Sequence, residues 1–96
     1  MRAYEVMYII RPDMEQEDCD SVIKRFSEQI EKDGGKIGQM DVWGKRRLAY
    51  PIKHFEEGYY ILCDFEGDNR TIDELTRTMT MADDIIRFKI LRKEAS

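Results

Sequence analysis

Between Met14 and Asp33 the apolar residues Cys19, Val22, Ile23, Phe26 and Ile30 recur at intervals of three and four, which puts them on one stripe of a helix. Such a stripe is buried only against another apolar surface, and the flanking segments are patterned as strands that supply one. Ala3 to Ile10 is rich in aromatic and branched residues, with Val6, Tyr8 and Ile10 at spacing two. Arg11-Pro12-Asp13 then ends it. Asp13 is a candidate N-cap, Glu15, Glu17 and Asp18 lie in the positive first turns, and Gly34-Gly35 supplies a left-handed stop after Asp33. Residues 36–50 read as a long second strand, after which Pro51 removes a ladder donor and a loop from Lys53 to Gly58 turns the chain back. Tyr59 to Phe65 reads as a third strand. A shorter helix from about Thr71 to Ala82 carries Ile72, Leu75, Met79 and Ala82 on one stripe, with Thr71 or Asn69 as cap. Asp83-Asp84 breaks it before a last strand, Ile85 to Leu91.

Strand, helix, strand, strand, helix, strand is the order of the ferredoxin-like split unit, an α+β fold in which two helices cover one face of a four-stranded antiparallel sheet. In the first strand Tyr4, Val6, Tyr8 and Ile10 can face the helices, yet Met7 and Ile9 on the other side are also apolar. The third strand repeats this, with Tyr59, Ile61, Cys63 and Phe65 on one face and Tyr60 and Leu62 on the other. A sheet face left to water should read more polar. Met7, Ile9, Tyr60 and Leu62 therefore point to a partner that packs on part of that face or adds a strand at an edge. The bland alternative is that a few exposed apolar side chains are ordinary.

Charge is distributed unevenly. The chain carries a formal net charge of −4 and a sequence pI near 5.0. Residues 36–54 nevertheless hold Lys36, Lys45, Arg46, Arg47 and Lys53 against Asp41 alone. A local reversal of sign of this kind suggests a polyanion contact. Guanidinium planes stack on bases, and Trp43 and Tyr50 add stacking surface, so the combination suits RNA better than duplex DNA. An edge strand protected from aggregation by its cations is the competing reading.

Length and composition bound the rest. Ninety-six residues make one domain, residues 1–96, with a single core. The 42% hydrophobic and 38% charged composition fits a folded chain with a charged surface. No apolar run approaches the roughly 20 residues of a membrane span, and nothing at Met1-Arg2-Ala3-Tyr4-Glu5 marks export, so a cytoplasmic location is expected. Cys19 and Cys63 are expected to be reduced, half-buried packing residues rather than a disulfide. Catalysis finds little support. The single histidine, His54, has no second histidine or neighbouring cysteine, so no metal set and no nucleophile pair is expected. Glu15, Glu17, Asp18, Asp20, Glu28 and Glu31 fall on the outer face of the first helix, where nothing raises a pKa. Gly34-Gly35 matches no phosphate-cradling pattern. No cofactor is implied.

Met1-Arg2-Ala3-Tyr4-Glu5 with a proline after the first strand, the run Gly44-Lys45-Arg46-Arg47-Leu48-Ala49-Tyr50-Pro51-Ile52, Gly58-Tyr59-Tyr60 and Asp83-Asp84-Ile85-Ile86-Arg87 together resemble the ribosomal protein S-six family of the bacterial small subunit. The resemblance spans essentially the whole chain. It implies the fold just derived and a non-catalytic role in the small ribosomal subunit. It also implies binding to the central domain of small-subunit ribosomal RNA jointly with ribosomal protein S-eighteen, by a chain monomeric off the ribosome. That partner would cover the apolar open face. Carried over by residue, the resemblance gives RNA-facing or partner-facing duty to Arg2, Arg46, Arg47 and Tyr50, with Tyr4 and Arg87 as further candidates and Lys45 beside them. The acidic balance is compatible with a family whose members lean on a basic partner, and it limits the affinity of the isolated chain for RNA. One departure is the ending at Lys93-Glu94-Ala95-Ser96, where some relatives extend into a long acidic tail, which puts tail-dependent modification in doubt. Arg87, Lys89, Arg92 and Lys93 read as a solvated strand face in preference to a minor phosphate contact.

Two other classes compete. A small phosphatase of the acylphosphatase type would need an anion-binding loop after the first strand, but Arg11-Pro12-Asp13-Met14 puts an acid there. A homodimeric or ligand-sensing ferredoxin-like module would pair its open faces with each other.

Overall fold

The computed structural model describes residues 1–93, and residues 94–96, named above at the chain end, lie outside the described residues. The elements run β1 (Arg2–Ile10), α1 (Gln16–Lys32), β2 (Lys36–Ile52), β3 (Phe55–Gly67), α2 (Asn69–Met81) and β4 (Ile85–Arg92). The strands form one sheet in the order β2-β3-β1-β4, each neighbouring pair antiparallel. This is the ferredoxin-like arrangement that the periodicities predict, with β1 inside the sheet and β2 and β4 at its edges.

The core lies between the sheet and the helices. Tyr4, Val6, Tyr8 and Ile10 from β1 meet Ile61, Cys63 and Phe65 from β3, and the helices close over them with Cys19, Val22, Phe26, Ile30, Leu75 and Met79. Tyr4 stacks on Phe65 with ring centroids 5.7 Å apart, and Tyr8 meets Phe26 edge-on at the same separation. Both cysteines are free and fully buried rather than half-buried, because each occupies a core-facing register position. Burial, with Asp64 nearby, pushes the Cys63 thiol up from 9.0 to about 11 and the Tyr8 phenol higher still. Above pH 9 the unfolded chain releases protons that the folded chain retains, so the unfolded state binds fewer protons and stability falls as pH rises. The contribution is intact below about pH 8.5, near the ordinary thiol value. Thermal melting is expected to be insensitive to pH from neutrality up to there and to fall progressively toward pH 11, with Cys63→Ala flattening the first part of the fall. A melting temperature constant to pH 11 would contradict it.

The helix ends depart from expectation in ways that side-chain geometry explains. Glu15, not Asp13, is the N-cap of α1, and it makes no side-chain cap bond. Asp13 is held instead by Arg11, whose Nε and Nη2 donate to its two carboxylate oxygens at 2.7 and 2.9 Å. That pairing keeps the Asp13 carboxyl below its ordinary pKa. At the other end Gly34 takes φ +89°, the left-handed stop that the glycine pair predicts. For α2 the cap is Asp68 rather than Asn69 or Thr71. Thr71 sits three residues in and completes a capping box: its amide donates to Asp68 Oδ1 at 3.2 Å, and the Asp68 amide donates to its hydroxyl at 3.3 Å. The same hydroxyl reaches the Asp33 carbonyl at 3.1 Å, tying the start of α2 to the end of α1. Thr71 is 1% exposed, so Thr71→Val keeps the shape and leaves these polar groups without a partner. The expected cost is about 1–2 kcal/mol in a urea melt; an unchanged midpoint would show that water replaces the hydroxyl freely.

Candidate nucleic-acid interface

The far end of β2 builds the site. The strand does not stop before Pro51 but continues through Ile52, and the expected loop from Lys53 to Gly58 shrinks to a two-residue turn. Lys53 and His54 both take positive φ, 49° and 71°, as the tightest hairpin turns require. Pro51 is tolerated because β2 is an edge strand and its pairing with β3 has no registered partner between Arg47 and Ile52. Arg47 stands opposite Glu57 and Ile52 opposite Phe55, so residues 48–51 face a single β3 residue and the chain arches.

That arch folds over the open sheet face. Leu48, 7% exposed, forms a second apolar cluster with Ile9 of β1 and Ile86 of β4, reaching across β3 to do so. Gly58 permits the approach, since a Cβ there would strike the Ile9 Cγ2 methyl. Beyond Leu48, the Arg87 guanidinium donates to the Tyr50 hydroxyl at 2.6 Å. Met7, Ile9, Leu48, Tyr50, Tyr60 and Arg87 together wall a hollow of about 180 Å³. Beside it Trp43 stacks on Tyr60 with centroids 6.3 Å apart and planes 17° from parallel. A register shift between Val42 and Gly44, with Gly44 at φ +78°, brings the indole onto that face.

Three cations crown the arch. Lys45, Arg46 and Arg47 are exposed, and among the described residues none forms an ion pair with a carboxylate. The Lys45 ammonium lies 5.4 Å from the Tyr59 ring centre. The contrast lies on the helical side, where a hollow of about 610 Å³ is lined by Arg11, Arg25 and Arg77. There every guanidinium is taken, by Asp13, Asp84 and Glu74 respectively. Unpaired cations on a strand that also carries a stacked aromatic pair can receive a phosphate backbone and unstacked bases, whereas cations already neutralised by carboxylates have far less to offer.

The residues singled out in the sequence do not all meet. Tyr50 and Arg87 meet at the arch, where Arg87 is engaged with Tyr50 rather than standing free; Lys45, Arg46 and Arg47 lead into it along β2, Arg46 on the open side and Lys45 and Arg47, registered opposite Tyr59 and Glu57, on the other. Arg2 is exposed at the opposite end of the sheet, opposite Gly67. Tyr4 is no surface residue at all: it is 8% exposed and stacked under the helices on Phe65, as its even position in β1 dictates. Ile9 is also withdrawn from the partner-facing set, being 2% exposed beneath Leu48 and Ile86. Met7 and Leu62, direct cross-strand neighbours, and Tyr60 remain half-exposed on the open face. Leu48 is the functional residue that sequence reasoning misses. Its signal is there to read, since it is the one large aliphatic residue inside a basic run. Among the described residues no three His, Cys, Asp or Glu side chains are grouped to hold a metal ion, and no helix is long and apolar enough to cross a membrane.

Comparison with known proteins agrees with this fold. A family model described as Ribosomal protein S6 matches residues 3–92. Relatives named small ribosomal subunit protein bS6 include one from Natranaerobius thermophilus, 47% identical over 94 residues, and one from Carboxydothermus hydrogenoformans, 43% identical over 94 residues. Each match spans 98% of this chain and 98% of the relative. The crystal structure of 30S ribosomal protein S6 from Thermotoga maritima superposes with a TM-score of 0.92 at 34% identity, covering 96% of this chain and 87% of that one. The chain belongs to the ribosomal protein S6 family, whose members are structural proteins of the small ribosomal subunit and not enzymes.

Proposed function

We propose that this protein binds the central domain of small-subunit ribosomal RNA jointly with ribosomal protein S-eighteen, as a monomer when off the ribosome, through the β2 arch and the open sheet face. The observation that carries the reading is the run Lys45, Arg46 and Arg47, without an ion pair among the described residues, of which Arg46 shares the open side of the sheet with the Trp43–Tyr60 stack, in a chain of net charge −4. Phosphate neutralisation supplies most of the affinity of such an interface. Three cations on an otherwise acidic protein supply little of it alone, which is why a second protein belongs in the complex. Met7, Tyr60 and Leu62 give that protein an apolar strip to cover. No residue here turns over a substrate; the chain acts by charge, stacking and burial within the cytoplasmic ribosome.

Titration of the chain onto a central-domain RNA fragment at fixed salt, with and without S-eighteen, tests this. Tight binding is expected only with S-eighteen present. Equal binding in both conditions would remove the partner from the site, and no binding in either would favour a self-associating module.

A further inference from the structure

Beyond the Arg47–Glu57 pair the hairpin of β2 and β3 is weakly joined. Ile52 and Phe55 are registered against each other there, and residues 48–51 have no partner in the ladder among the described residues. The turn itself is strained: Lys53 and His54 hold side chains at φ 49° and 71°, a conformation that Gly and Asn adopt more readily. Packing is thin on both sides of the arch. The hollow of about 180 Å³ lies on one side, and a second of about 120 Å³ lies between the arch and Glu56. The segment is held down by side-chain contacts rather than by the ladder. Leu48 rests on Ile9 and Ile86 with Ile52 and Phe55 beside it, Arg87 donates to the exposed Tyr50 hydroxyl, and the Arg11 guanidinium lies 5.4 Å from the Phe55 ring centre. β1 beneath is different, having partners on both sides from Tyr4 to Ile10.

We propose that residues 48–54 form a strap with two positions above a sheet that stays folded. In the closed position, the one seen here, Leu48 is seated on Ile9 and Ile86. In the lifted position Leu48 is in water, the Tyr50–Arg87 bond is broken and the turn relaxes. Segments with few buried contacts open locally without global unfolding, and this one combines an unregistered arch, a strained turn and a single apolar anchor. Closure fixes Tyr50 and Arg87 relative to Arg46 and Arg47 at the foot of the strap, so the closed strap is the state that receives RNA. This second step rests on the joint-binding reading above. Affinity then scales with the fraction of chains whose strap is closed. Ile9 and Ile86, 2% and 5% exposed, thereby act on RNA capture without touching RNA.

Methyl relaxation dispersion of the free, full chain reads the strap directly. Exchange on the microsecond-to-millisecond scale is expected at Leu48, Ile9 and Ile86 and not at Ile61 or Leu75 of the main core. Leu48→Ala should lift the strap and weaken capture of the central-domain RNA fragment with S-eighteen about three- to tenfold, leaving the salt slope unaltered because no cation is lost. Leu48→Met should keep the parent affinity. Adding His54→Gly to Leu48→Ala should recover part of the loss, since glycine relieves the turn of the closed strap and brings no new RNA contact. Silence at the three methyl positions, or exchange shared with Ile61 and Leu75, would overturn the strap. Parent affinity in a folded Leu48→Ala chain, a lowered salt slope, or no recovery with His54→Gly would overturn its control of the site. Failure of the parent chain to capture RNA with or without S-eighteen would overturn the joint-binding reading, and the dispersion result would still decide the strap.

Discussion

Phe65→Ala is expected to lower folding stability by about 3–5 kcal/mol, the range for emptying an aromatic site in a packed core. For a small domain whose total stability is about 5–15 kcal/mol, that is a large share. The reason is position. Phe65 is 2% exposed, stacks on Tyr4, and is registered opposite both Tyr4 of β1 and Ile37 of β2, so its ring spans the width of the helix-covered layer. β3 backbone on one side and helices on the other leave little room for collapse. The opposite face gives the contrast, since Leu62→Ala, half-exposed already, removes only part of a side chain's burial and should cost about 1 kcal/mol. Urea melts of the two variants side by side check the asymmetry. A Phe65→Ala effect no larger than that of Leu62→Ala would mean that both faces of the sheet are covered alike in the free chain.

Much of this architecture is legible because one-dimensional period maps onto burial. The stripe of Cys19, Val22, Phe26 and Ile30 reappears as the buried residues of α1, and the even positions of β1 are its core face. Tyr4 shows the limit of carrying roles over from relatives: its own parity places it under the helices, and that local argument outweighs the family's suggestion of a binding role. Ile9 shows the opposite limit. Its odd position does put it on the open face, but a residue 39 positions later, Leu48, covers it, and no local pattern encodes that packing. The caps mislead for a related reason. Asp13 and Asp68 are equally good cap residues by type, and what separates them is that Arg11 can reach the first while Thr71 is placed to box the second. Pro51 reads as the end of β2 because proline removes a donor, a penalty that vanishes at an edge position without a registered partner.

Arg46→Ala plus Arg47→Ala should lower the salt dependence of RNA capture by up to about two on a log–log plot, one for each phosphate no longer neutralised, since the slope reports displaced counterions. At moderate salt the affinity should fall between about tenfold and a hundredfold on the same argument. Both side chains are exposed and unpaired among the described residues, so their removal breaks no internal ion pair and the melting temperature should hold. This separates them from Leu48 and Arg87. Truncating either of those would loosen the arch and blur a change in RNA binding with a change in placement. Arg46 and Arg47 occupy successive positions of a strand and point to opposite sides of it, registered against Gly58 and Glu57. A single phosphate line cannot take both with equal ease unless the backbone wraps the arch. The single variants carry that information: equal slope changes mean that RNA wraps the strand end, and a slope change confined to Arg46 means that RNA lies on the open face, with Arg47 left in solvent on the other side of the strand. An unaltered slope in a folded double variant would take the cluster out of the RNA site and leave its cations as protection for an exposed edge.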